Sequence, residues 1–115
     1  APLTKEEYKA GQARIAAEYE AERQKCGVRH GNAADLCIAR AHGTRNAAKA
    51  ELEAAYKPSP RTNYDAAIAR AQATYGVAKE ECDDKKGEAR KACRKDAKAA
   101  LDRAKAEATA ARKAS

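Results

Sequence analysis

The chain contains no phenylalanine, tryptophan or methionine, and leucine, isoleucine and valine together number only nine of its 115 residues. That scarcity excludes a large apolar core, and no run is long and apolar enough to span a bilayer. The two serines, Ser59 and Ser115, sit at a joint and at the terminus, which argues against a serine triad. There is no glycine-rich phosphate loop, no nucleophile elbow and no His-Glu-x-x-His pair. No cofactor motif is present, and the pattern points away from an enzyme. With six glycines and three prolines, there are few places for the chain to turn.

What the chain has instead is alanine, 32 residues of it, and charge: 24 lysines and arginines against 17 acids, for a net +7. Many charges and few large apolar side chains are usual in disordered segments. Alanine, lysine, glutamate and arginine are nevertheless the strongest helix formers. The composition therefore predicts a helical protein with a thin core in need of cross-links.

The most informative feature is an internal duplication. Shifted by 56 residues, Tyr8 falls on Tyr64, Arg14 on Arg70, Tyr19 on Tyr75, Cys26 on Cys82 and Cys37 on Cys93. Each unit reads helix, glycine-containing loop, helix, giving an α-hairpin over 1–57 and a second over 58–115, joined at Lys57-Pro58-Ser59-Pro60. Thr4 with Glu7 forms a capping-box signature, and Leu3 with Tyr8 is placed for a hydrophobic staple. Asn32 with Asp35 reads as the start of the second helix, and Ser59 with Pro60 as the start of the third. Tyr64, Ile68, Ala71, Tyr75, Ala78 and Cys82 step by four and three residues along one stripe. Cys93, Ala97, Ala100, Ala104, Ala108 and Ala111 form a small-residue face on the fourth helix. The four repeated tyrosines read as core residues with hydroxyls at the rim. Tyr56 is expected to pack on the start of the first or third helix.

The expected fold is all-α: two tandem antiparallel hairpins running up-down-up-down, with a four-helix bundle as one way for them to pack. Four cysteines allow three connectivities, and a Cys26–Cys82 link is one alternative. The hairpin reading favours Cys26–Cys37 and Cys82–Cys93, both at the same end. Each would close a loop worth roughly 3 kcal/mol. Cys26, His30, Cys37 and His42 also suggest zinc. In the second unit both cysteines are kept while Lys86 and Lys98 replace the histidines, so the repeated set is a staple and no metal site is assigned. Disulfides point to an oxidising compartment. The Ala1-Pro2 start suits a chain whose signal peptide has been removed, although loss of an initiator methionine would also expose alanine.

Charge is uneven: residues 1–57 carry ten bases and eight acids, residues 58–115 fourteen bases and nine acids. Lys91, Arg94, Lys95 and Lys98 share much of one helix face and are the candidate anion-binding residues, for anionic lipid, an envelope glycan or nucleic acid. No aromatic lies in that run to stack a base, so nucleic acid is the least expected partner.

The segments "LTKEEYKAG", "KAELEAAYKPSP" and "VAKEECDDKKGEARKACRKDAKAA" make the chain resemble a family of small exported bacterial proteins. These are rich in alanine and lysine, carry four cysteines, and are loosely labelled cell envelope biogenesis or TolA-like. The resemblance runs over essentially the whole chain. It implies a periplasmic or secreted location and no assigned activity, with no catalytic residues to carry over; an envelope protein or a polyanion is the candidate partner. The reading is a non-enzymatic, envelope-associated interaction or structural protein; the alternative is a polyanion-binding module.

Overall fold

A computed structural model describes all 115 residues. Four helices account for nearly the whole chain: α1 (Lys5–Cys26), α2 (Gly31–Tyr56), α3 (Pro60–Cys82) and α4 (Gly87–Ala114). Local chemistry sets their ends. The Thr4 hydroxyl accepts the Glu7 amide at 3.1 Å, and the Glu7 carboxylate accepts the Thr4 amide at 2.9 Å, completing the expected capping box. Ser59 caps α3 in the same reciprocal manner with Thr62, and Pro60 fills the first helical position, where a missing N–H costs nothing. Pro58 stops α2: the preceding Lys57 is driven to φ −127° and ψ 75°, outside the helical region.

The start of α2 differs from the sequence reading. Its N-cap is His30, with no side-chain cap bond. Gly31 takes φ 60°, and its duplicate Gly87 takes φ 56° at the head of α4. A side chain in this left-handed region would be strained. Asn32, displaced from the cap role, instead donates its amide to the Glu80 carbonyl of α3 at 2.9 Å.

The disulfides are Cys26–Cys37 and Cys82–Cys93, each with Cα atoms 5.5 Å apart. The Asn32–Glu80 bond brings the head of α2 to the tail of α3, so both staples lie at the same end of an up-down-up-down chain. The hairpins do not close into a four-helix bundle. α1 packs on α2, α2 on α3 and α3 on α4, and no other pair meets. The Cα extents are 49 × 38 × 11 Å, so the helices form a plate about one helix thick.

A single layer requires α2 and α3 to bury two opposite sides each, and small residues make this possible. At the α2–α3 seam a Cβ on Gly43 would sit 2.9 Å from the Ala73 Cβ, so only glycine allows that approach. Across the whole chain the buried apolar set is Ile15, Ala41, Ala66, Ala97, Leu101 and Ala108, with Cys26 and Cys82. Only Ile15 and Leu101 among them are large aliphatics, each contributing about 1.5–3 kcal/mol. Two cross-links of roughly 3 kcal/mol apiece thus rival the entire large-aliphatic core.

Candidate functional site

The grooves between helices distinguish the two broad faces of the plate. Arg40 and Thr44 line both the α1–α2 and the α2–α3 groove, and Thr74 and Ala78 line both the α2–α3 and the α3–α4 groove. These three grooves open on one side, the front. His42, Asn46, Gln72 and Lys79 line the α2–α3 groove on the other side, the back.

On the front, the grooves of the two hairpins are duplicates. Tyr19 matches Tyr75, Ala41 matches Ala97, and Ala48 matches Ala104. The α3–α4 groove, about 430 Å³, is floored by Ala71, Ala97, Leu101 and Ala108, and Arg70 and Glu107 are its only charged residues. Arg70 is already engaged by Glu51 of α2 at 3.1 Å. The α1–α2 groove, about 300 Å³, is more polar, with Glu18, Glu22, Arg40 and Arg45 on its walls.

Hairpin 1 carries two aromatic clusters. Tyr8 stacks on Tyr56 with ring centroids 4.2 Å apart, and its hydroxyl donates to the Glu53 carboxylate at 2.6 Å. That bond to a carboxylate raises the Tyr8 phenol above its ordinary value, with desolvation adding to the effect. Tyr56 therefore packs on the start of α1, one of its two expected places. Further along, Tyr19 meets His42 edge-on, with Oη 3.2 Å from Nε2, and the Arg45 guanidinium lies 4.2 Å from the Tyr19 ring centroid. His42 lies exposed at the surface as a partner of Tyr19 and Arg45. Cys26 and Cys37 are bonded to each other, which leaves no thiolate to join either histidine around a metal. No cluster of three or more His, Cys, Asp or Glu side chains is poised to hold one.

The four candidate anion-binding residues lie in the first half of α4, all exposed. Three have acidic neighbours: Arg94 meets Asp83 at 2.7 Å, Lys98 meets Asp102 at 3.0 Å and Lys91 meets Glu88 at 3.9 Å. Lys95 forms no ion pair. Exposed pairs of this kind are worth about 0–1 kcal/mol and exchange readily for another anion. Arg90 works locally, donating to the Lys85 and Asp83 carbonyls at 2.9 and 3.2 Å and closing the α3–α4 loop.

The helix register gives this cluster its direction. Ala97, Leu101 and Ala108 are buried, while Ala100, Ala104 and Ala111 flank them on the front. The opposite flank faces the back and carries Lys91, Lys98, Lys105 and Arg112, spaced seven residues apart. Lys105 and Arg112 extend the stripe beyond the residues singled out by charge density. The seven-residue step was the signal for them. Arg112 also covers Tyr64, 4.9 Å from its ring centroid.

Fold and surface together define a class: an open, single-layer helical protein built from two disulfide-stapled hairpins. Comparison with protein-family models, curated proteins and solved structures finds no match to this chain.

Proposed function

We propose that the protein is a non-enzymatic interaction or structural component of an oxidising compartment, periplasmic or secreted, associated with the cell envelope. The observation that carries this reading is the plate itself. A layer one helix thick, with only shallow open grooves, offers two broad surfaces for partners and no dry cleft in which to shield a reaction. Two disulfides fit an oxidising address, and no helix is long and apolar enough to cross a membrane.

The reading is tested on protein taken from its native cells with thiols alkylated before lysis. Recovery outside the cytoplasm with all four cysteines oxidised, crosslinked in place to an envelope component, is the expected result. Free thiols in a cytoplasmic pool would overturn it.

A second reading, a polyanion-binding module, is favoured by one observation: the basic flank of α4 is accessible along its length, and its counter-charges are exposed acids that a stronger anion can displace. Lys91, Arg94, Lys95 and Lys98 would carry the binding, and retention on heparin that falls steeply with salt is its signature.

A further inference from the structure

The net charge of +7 is not shared evenly between the two broad faces. Helix register places Lys5, Lys9 and Arg23 of α1 on the back, against Glu20. α2 sets Lys49 against Asp35 and Glu53 there. α3 is balanced, with Arg61 and Lys79 against Asp65 and Glu80. α4 contributes its four-base stripe flanked by Arg94 and Lys95, with Glu88, Asp102 and the Asp83 that pairs with Arg94 as the opposing acids. On the front the balance reverses: Glu18, Glu22, Glu51, Glu81 and Glu107 stand against Arg14, Arg40, Arg45 and Arg70.

We propose that the back face docks flat on an anionic phospholipid bilayer, held by charge and without insertion. This rests on the polyanion-binding reading and names its target. Shape selects the bilayer among polyanions. A linear chain would follow the α4 stripe and leave the bases of α1 and α3 unused. A planar surface meets all three helices at once, because the plate is flat over 49 × 38 Å. Thickness then decides the sign of the net interaction. The backbone layer alone is 11 Å deep, and side chains on both sides add to it. Acids on the front therefore lie beyond the Debye length of about 8–10 Å from a surface touching the back. The bilayer senses the basic face and is screened from the acidic one. Back-face positions of α4 hold lysine and arginine with Glu88, Asp102 and Thr109 and no large apolar side chain, so binding is reversible by salt and does not bury the helix among acyl chains.

The test is sedimentation of the disulfide-intact full chain with vesicles of phosphatidylcholine and phosphatidylglycerol in equal parts, beside vesicles of phosphatidylcholine alone. Each base near an anionic surface is worth about fivefold in affinity. The double variant Lys91→Gln/Lys98→Gln is therefore expected to bind the mixed vesicles roughly 25-fold more weakly. Arg14→Gln/Arg40→Gln removes the same charge from the front and is expected to stay within about twofold of the parent. All four residues are exposed, and far-UV circular dichroism verifies that both variants are folded. Equal losses in the two variants, or equal binding to both kinds of vesicle, would overturn the proposal. Retention on heparin without sedimentation would overturn the bilayer while leaving the polyanion reading in place. Loss of both signals would remove the two together.

Discussion

The two hairpins share a plan and differ in what holds their helices together. Both keep the staple, the positive-φ glycine at the head of the second helix, and a tyrosine pair on the first. In hairpin 1 the α1–α2 seam contains Ile15, the Tyr8–Tyr56 stack and the Tyr19–His42–Arg45 cluster. At the matching places hairpin 2 has Ala71 for Ile15, Arg112 for Tyr56, Lys98 for His42 and Leu101 for Arg45. One copy packs through aromatic clusters; the other packs through Leu101 and alanine and carries positive charge where Tyr56 and His42 stand in the first. Duplication thus kept the staple in both units and changed what surrounds it: hairpin 2 packs on Leu101 and small residues in place of the aromatic clusters and carries most of the basic face.

If that division is right, the two staples are equal in chain entropy and unequal in consequence. Removing either pair, as Cys26→Ser/Cys37→Ser or Cys82→Ser/Cys93→Ser, should lower stability by roughly 3 kcal/mol, and reducing both by about twice that. For a domain of this size, a loss of about 6 kcal/mol is comparable with the whole stability. Thermal unfolding followed by circular dichroism, with and without reductant, measures the total. Hydrogen exchange separates the two staples. Without Cys82–Cys93, α4 is held only by α3, through Ala97, Leu101 and Ala108, and its amides should lose protection along the whole helix. Without Cys26–Cys37, α1 keeps Ile15 and the tyrosine contacts, and its loss should be confined to the stapled end. Equal loss in α1 and α4 would break the comparison.

The next largest effect lies at the seam between the hairpins. Gly43 faces Ala73 across α2–α3, while its duplicate, Ala99, is on the exposed edge of α4. Gly43→Leu should cost about 3 kcal/mol or more, because both partners at the clash are close to backbone. Ala99→Leu should change stability by about 0.5 kcal/mol or less. Urea unfolding of the two variants gives the contrast directly.

That pair also shows how far the sequence could be read. Staples, helix ends and hairpin boundaries follow from local signals: Thr4 with Glu7, Ser59 with Pro60, and cysteines at matching places in a duplicated unit. The single layer was not legible, because the second buried side of α2 and α3 is made of alanine and glycine. Against 32 alanines, a stripe such as Ala66, Ala69 and Ala73 has no contrast with its surroundings. Asn32 failed as a cap for a related reason. Its partner, the Glu80 carbonyl, belongs to a helix 48 residues away, and no local pattern announces such a bond. On the surface, the dense run from Lys91 to Lys98 was visible as composition. The opposition of a basic back to an acidic front was not, since a face exists only once its neighbours are placed.

A smaller contrast separates the two aromatic positions. Tyr56→Ala removes the stack on Tyr8 and should cost about 2 kcal/mol, counting both buried area and ring–ring geometry. Its counterpart Arg112→Ala removes an exposed cation above Tyr64 and should cost no more than about 1 kcal/mol. Equal values would mean that the two hairpins are held alike after all.

The smallest expected effect is a titration. The Tyr8 phenol donates to the Glu53 carboxylate, and the matching position in hairpin 2, Thr109, carries no charge. Because the folded state holds the Tyr8 proton more tightly than the unfolded chain does, this contact is fully present below the ordinary phenol pKa of about 10. Its contribution declines as pH rises from there through the raised folded value. Ultraviolet difference titration of the parent against Tyr8→Phe should assign to Tyr8 an ionisation step above the ordinary phenol value. In Glu53→Gln the hydrogen bond can persist but the neighbouring negative charge is gone, and the step should move back toward the ordinary value. A Tyr8 step that ignores Glu53 would place the cause in packing against Tyr56. The aromatic cluster of hairpin 1 would then be held by its rings alone, closer in kind to the tyrosines of hairpin 2.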